Sequence, residues 1–371
     1  MNIYENEVGL PVCELDTPAL LLDIAAVERN IQKMADFARQ SGIALRPHAK
    51  IYKGTPIFAW MQLRAGAIGL TASKVSEAEV LASGGIRDIL IANQVVGKRK
   101  IQRLVNLAGY TNIIVAVDST DNVQQLSAAA DARGVTVGVL VEVNIGNNRC
   151  GVEPFGPALA LAQAVHASPG LVFRGLMGYD GQLVFVKDFA DRDRRSEQGY
   201  RLLVETRHYI ENAGLPVAIV SGGGSVTYKP ASSVSGVTEL QVGTYIFMDT
   251  TYRELGLGDF ECSLSMLATV ISRPDRPGAE DLAILDIGRK AMDLTYGFPE
   301  VKQPPGEIIS MPQEHSRLKL HTPGSEPKIG DKVELWVSDA NGTFNLHDEV
   351  YIIRNGLVEA VWEISGRGKV T

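Results

Sequence analysis

Between residues 20 and 250 the chain repeats one unit: a short β-branched run, a turn, and a stretch with helical spacing of apolar residues. Strands are expected at 43–47, 67–71, 88–92, 112–117, 136–143, 171–177, 216–220 and 239–247. Helices are expected between them at 25–39, 55–65, 76–82, 122–133, 157–166 and 194–213. An open, doubly wound sheet also alternates in this way. Eight units closing within roughly 250 residues is the length of a (β/α)8 TIM barrel, and that form is the expectation here.

After residue 250 the texture changes. Short alternating runs at 265–272, 282–286, 332–337, 349–354 and 357–364 are separated by Gly and Pro, which reads as an all-β domain. The expected division is a barrel over 20–250 and a β domain over 251–371 that also takes in residues 1–19. The apolar run 15–22 either joins the β domain or leads into the barrel. Composition narrows the function classes. A net charge of −7 without a basic–aromatic stripe argues against nucleic acid. No stretch reaches the roughly 20 apolar residues of a membrane span, and the polar start is unlike a signal peptide. Three widely spaced cysteines, Cys13, Cys150 and Cys262, read as reduced thiols of a cytoplasmic protein.

A barrel concentrates its chemistry where strands end. The first expected strand runs into Leu45-Arg46-Pro47-His48-Ala49-Lys50, so an amine stands at its end. Burial and crowding by Arg46, His48 and Lys53 would depress that amine's pKa and favour its neutral, nucleophilic form. The seventh ends in Ser221-Gly222-Gly223-Gly224-Ser225, and the eighth carries Gly243-Thr244-Tyr245. Glycines let backbone N–H groups close on an anion, and barrel phosphate sites use the loops after strands seven and eight. An amine and an anion cradle on one barrel face point to pyridoxal 5'-phosphate, whose aldehyde condenses with lysine. Arg149, after strand five, is placed to hold the cofactor's ring oxygen or a substrate carboxylate. Tyr179, after strand six, either packs on the pyridine ring or belongs to the core. In the β domain, Asp339-Ala340-Asn341-Gly342 reads by spacing as an Asx-rich turn. Oxygen and imidazole ligands of that neighbourhood, with His315, His347 and Asp348, would suit Mg2+ or Mn2+ better than zinc.

Taken together, these segments resemble the D-threonine aldolase and D-serine dehydratase family of fold-type III pyridoxal phosphate enzymes, relatives of alanine racemase. The likeness is carried by Glu14-Leu15-Asp16-Thr17-Pro18, Arg46-Pro47-His48-Ala49-Lys50, Lys74-Val75-Ser76-Glu77 and Asn148-Arg149-Cys150-Gly151. It continues in Gly178-Tyr179, Ser221-Gly222-Gly223-Gly224, Gly243-Thr244-Tyr245-Ile246-Phe247-Met248-Asp249 and Asn345-Leu346-His347-Asp348. The resemblance implies that Lys50 carries the cofactor, and that the 221–224 and 243–245 loops hold its phosphate. It also implies a homodimer, a D-configured β-hydroxy amino acid as substrate, and a divalent metal that grips the β-hydroxyl. The chain departs from the family at Tyr52 and Gln182, where histidines are usual, and at Asn144, where an aspartate is common. The metal-binding pair falls on Asp339 and Asn341, so an imidazole and a charge are missing.

The reaction that the resemblance implies is retro-aldol cleavage, with His48 and Gln182 beside Lys50 as the catalytic candidates. Rivals are a dehydratase giving a 2-oxo acid and ammonia, a racemase with a second base, and a non-enzymatic pyridoxal phosphate carrier. The β domain argues against the carrier, because carriers of this fold type lack one.

Overall fold

A computed structural model describes residues 7–322 and 327–371. It divides into two compact units. One holds Ile31–Lys50, Gly54–Gly243 and Lys369–Thr371; the other holds the chain through Asn30, Ile51–Lys53 and Thr244–Gly368.

The first unit is built on eight parallel strands among the described residues: Ala44–Leu45, Leu70–Ala72, Asp88–Gln94, Asn112–Val117, Val137–Glu142, Leu171–Met177, Ile219–Gly222 and Glu239–Leu240. Numbered one to eight in that order, strand one pairs with strand eight, and the rest follow in sequence back to strand two. The ends then meet. Ile68 N–H donates to Leu45 O at 2.9 Å, Thr71 N–H to Pro47 O at 2.8 Å, and His48 bridges Thr71 in parallel. The sheet is therefore closed, as the alternation predicts, and among the described residues it keeps no open edge between strands one and two.

Strands three to five are apolar almost throughout because both faces are covered. Leu90, Ala92, Ile114, Ala116, Leu140 and Met177 form one buried cluster, on the alternate positions that face a single side. Helices cover the other side. The helix Thr120–Arg133 shows why they start and stop where they do. Ser119 Oγ accepts the Asn122 N–H at 3.3 Å, and Gly134 ends the helix at φ +68°, a conformation glycine takes without strain. At Gly175 a Cβ would fall 2.0 Å from Ile219 O, so only glycine lets strands six and seven approach there.

The seam between strands one and eight carries a buried ion pair. Arg46 Nε donates to Glu239 Oε1 at 3.0 Å, and the guanidinium also binds Asp88 at the start of strand three. Arg46 and Glu239 are 4% and 2% exposed, so neither charge reaches water if its partner is lost.

In the second unit, Ala19–Asp23 is an inner strand. It pairs antiparallel with Leu264–Ser272 and parallel with Glu349–Arg354, so the run 15–22 joins the β structure. Strands Glu300–Gln303, Gly306–Ser310 and Ser316–Leu320 add to the expected set. Strand eight of the barrel is shorter than expected: after Gly243 the backbone turns into a 3-10 turn, Thr244–Ile246.

Breaking one side of a buried pair strands the other charge. Arg46→Met should destabilise the barrel by roughly 3–5 kcal/mol. The double variant Arg46→Met/Glu239→Leu should recover most of that loss, as read from urea unfolding midpoints. Equal loss in the single and double variants would show that the pair is not what closes the seam.

Candidate active site

Lys50 lies in the 3-10 turn Ala49–Tyr52, immediately after strand one. Its amine is 5.9 Å from the centre of the Tyr179 ring, and the Arg149 guanidinium is 5.5 Å from the same ring. Tyr179 follows strand six and Arg149 follows strand five, so three strand ends converge on one aromatic ring. The loop before Arg149 is shaped by Asn144, whose Oδ1 accepts the N–H groups of Gly146 and Asn148, each at 3.1 Å. Gly146 at φ +113° and Asn148 at φ +52° make the reversal. The amide of Asn144 thus does the loop-folding for which an aspartate is common.

Burial lowers the Lys50 pKa most, the Arg149 cation lowers it further, and Glu77 opposes both. The depression expected from the sequence is present, but its electrostatic source is different. Arg46 is held by Glu239 and Asp88, and the cation that acts is Arg149, 99 positions away in the chain. Glu77 is itself fixed, accepting the Ser73 N–H at 2.7 Å and its hydroxyl at 2.6 Å. The Lys50 N–H donates to His48 Nδ1 at 3.4 Å, which orients the imidazole beside it. Gln182 follows in the turn Gly181–Leu183, and its Oε1 is buried with no partner among the described residues.

The glycine loop also approaches the Tyr179 ring. A Cβ on Gly224 would stand 3.8 Å from Tyr179 Cε2, in ordinary contact, whereas at Gly222 it would fall 2.4 Å from Gly178 O. At Gly223, φ is +75° and a Cβ would meet Leu240 at 2.7 Å. The loop is therefore open only at Gly224. Its donors are also arranged differently from the sequence expectation of free N–H groups. Gly223 N–H donates to Tyr200 Oη at 2.5 Å, and Gly224 N–H to Thr227 Oγ1 at 3.1 Å. Ser221 lies in strand seven, and its hydroxyl accepts from Gln241 at 2.8 Å. Gly243 N–H donates to Ser225 Oγ at 3.3 Å, and its Cβ position faces His48 at 3.3 Å. The amine with its lowered pKa, the open Gly224 backbone and the nearby Ser225 hydroxyl fit a phosphorylated aldehyde.

The remaining candidates lie in the other unit. Thr244 belongs to a 3-10 turn, and Tyr245 is 1% exposed with its ring 5.8 Å from that of Phe260. Tyr52 is fully buried with its ring 6.5 Å from that of Phe247, and His315 is exposed. Asp339 is the N-cap of the helix Ala340–Phe344, with Oδ1 accepting the Gly342 N–H at 2.9 Å, which is the turn reading of the sequence. Asn341 Oδ1 accepts from the Lys53 ammonium at 2.5 Å. Among the described residues no group of three His, Cys, Asp or Glu side chains is arranged to hold a metal. A carboxylate committed to a helix cap and an amide carbonyl covered by an ammonium do not fit a divalent cation.

Sequence reading missed Glu142, and it placed Asp180 at the end of strand six without a role. Glu142 is buried at the end of strand five, holds Gln94 Nε2 at 2.5 Å, and has its pKa raised by burial. The apolar alternation of strand five was the available signal, since position 142 shares the face of Leu140.

Residues 22–251 match the family described as alanine racemase, N-terminal domain, and residues 263–353 match a putative serine dehydratase domain. The chain is 39% identical to D-threonine aldolase of Arthrobacter sp. over 369 residues, covering 97% of this chain and 95% of that protein. It is 35% identical to 3-hydroxy-D-aspartate aldolase of Paracoccus denitrificans (strain Pd 1222), covering 97% and 94%. The crystal structure of D-threonine aldolase from Filomicrobium marinum superposes with a TM-score of 0.93 at 37% identity, over 98% of each chain.

Two measurements check this site. Arg149→Met removes the second cause of the Lys50 depression, so the pH midpoint for reaction of Lys50 with an aldehyde should move upward, toward 10.5. An unchanged midpoint would assign the whole effect to burial. For the cation, Mn2+ titration followed by electron paramagnetic resonance should show no saturable site tighter than millimolar. A micromolar site would show that Asn341 gives up Lys53 to the ion.

Proposed function

The chain belongs to the alanine racemase N-terminal-domain family, and on that premise we propose a pyridoxal 5'-phosphate lyase acting on D-3-hydroxy-α-amino acids. The reaction is retro-aldol cleavage to glycine, or a substituted analogue, and an aldehyde. The observation that carries the reading is the depressed Lys50 amine facing the Tyr179 ring beside Arg149 and the open Gly224 backbone. Relatives at 39% and 35% identity are aldolases by name and support it.

Pyridoxal phosphate, when bound, supplies the aldehyde that captures the substrate amine and a ring that takes up the electrons of the broken Cα–Cβ bond. The chain's residues do the rest. Lys50 gives up its place to the substrate amine. Its Nζ, whose neutral form burial favours, then receives the β-hydroxyl proton and delivers it to Cα after cleavage. His48 takes the β-hydroxyl proton at Nδ1, giving up the long 3.4 Å bond from the Lys50 N–H, and passes it to Lys50 Nζ. Before that transfer Gln182 Oε1 accepts the hydroxyl's hydrogen bond and so gains the partner it lacks. Arg149 holds an anionic oxygen by charge-assisted hydrogen bonds. No step passes through a metal.

A dehydratase reading keeps Lys50 as the base that removes the α-proton, and the match of residues 263–353 favours it. A homodimer and a cytoplasmic location complete the proposal. All three cysteines are unpaired, and no described helix is long and apolar enough to cross a membrane.

The test is covalent trapping. Purified protein should absorb in the visible, and borohydride reduction followed by peptide mapping should place the pyridoxyl group on Lys50. Lys50→Ala should lose both absorbance and activity. His48→Gln should keep the absorbance and lose roughly 100- to 10,000-fold in rate. A pyridoxyl group on another lysine overturns the assignment.

A further inference from the structure

One buried carboxylate stands behind the glycine loop and takes no part in the chemistry above. Asp180 is 2% exposed and follows Tyr179. Three hydroxyls donate to it. Ser196 Oγ reaches Oδ2 at 2.7 Å, and Thr227 Oγ1 and Tyr200 Oη reach Oδ1 at 3.1 and 3.3 Å. Tyr200 also has Gly178 O within 3.4 Å, so its single proton is shared between two acceptors. Two of these hydroxyls in turn accept backbone N–H groups: Tyr200 from Gly223 at 2.5 Å, and Thr227 from Gly224 at 3.1 Å.

The bonds therefore run in one direction. Two successive amide donors feed two hydroxyls, and both hydroxyls feed one carboxylate. A hydroxyl can accept from an amide and still donate its own proton. Burial raises the Asp180 pKa and the three hydroxyl donors oppose that rise; the ionised carboxylate only accepts, and so sets the direction of every proton in the network. Tyr200 is fully buried, and burial and Asp180 push its pKa well up, which keeps its proton in place. Thr227 N–H also donates to Gly224 O at 3.1 Å, closing the turn. The glycines have no side chains to hold them, and Gly223 sits at φ +75°. Without the network the loop would sample many backbone states, and ordering it would oppose binding.

We propose that Asp180 is a positioning residue. Through Tyr200 and Thr227 it locks the 222–224 loop in the one conformation that leaves room at Gly224 for the phosphate ester of the cofactor. This deepens the pyridoxal phosphate reading above and rests on it. The locked loop acts on the phosphate end alone. Lys50, at the aldehyde end, makes none of the network's hydrogen bonds.

That separation gives the test. Apoprotein is titrated with pyridoxal 5'-phosphate and, separately, with pyridoxal, which has the aldehyde without the phosphate. The readout is the ratio of the two affinities, followed by visible absorbance. The variants are Asp180→Asn, Tyr200→Phe and Thr227→Val, with Ser196→Ala as the control that touches Asp180 but no glycine. Tyr200→Phe and Thr227→Val should each lower the ratio about ten- to a hundredfold, mainly by weakening the phosphorylated ligand. Ser196→Ala should leave the ratio within about twofold. If Asp180→Asn does not fold, the two hydroxyl variants still decide the question. Ratios unchanged in both overturn the proposal, and so does an equal weakening of both ligands, which marks general disruption. Failure of the wild-type protein to take up pyridoxal phosphate at all would overturn the underlying cofactor reading instead.

Discussion

The chemistry rests on the cost of keeping an ammonium out of water. Lys50 sits at the mouth of a closed barrel, where burial and the Arg149 charge both favour its neutral form. A solvated lysine would be protonated at neutral pH and would not attack a carbonyl. Barrel closure matters because strands one, five and six each contribute one part: Lys50, Arg149 and the Tyr179 face. The Arg46–Glu239 pair at the seam fixes strand one against strand eight, and so fixes where Lys50 emerges.

Much of this fold is legible in the sequence, for a physical reason. Barrel strands packed between a core and a layer of helices are rich in apolar residues, so 112–117 is found to the residue, and so is 171–177 although Val172 and Arg174 are exposed. Other elements are hidden by their own chemistry. Glu300–Gln303 is largely exposed and has no apolar face, and Ser316–Leu320 alternates over only five residues with Arg317 and Lys319 outward, so neither pattern stands out. The run after Gly243 is apolar because it is buried, and burial alone does not tell a strand from a turn. The motif around Lys50 is contiguous in sequence, yet the compact units divide between Lys50 and Ile51.

The candidate site was legible where a residue type has one chemical use: an amine, a glycine run, a guanidinium. It was illegible where a role depends on distant partners. Asp180 looks like a strand-end acid until Ser196, Tyr200 and Thr227 are seen around it. Arg46 looks like a crowding charge until its two carboxylates are found. Asp339 and Asn341 read as metal ligands through the resemblance and as a turn through their spacing. The helix cap and the Lys53 ammonium side with the turn.

The most direct test of the account is the carbon skeleton of the products. Purified enzyme with pyridoxal phosphate is incubated with D-threonine and with D-3-hydroxyaspartate, with EDTA present, and the mixture is followed by proton and carbon NMR. Cleavage of the Cα–Cβ bond predicts glycine together with acetaldehyde or glyoxylate, in equal amounts. An intact skeleton appearing as a 2-oxo acid with ammonia would contradict the retro-aldol reaction and assign the same Lys50 to dehydration.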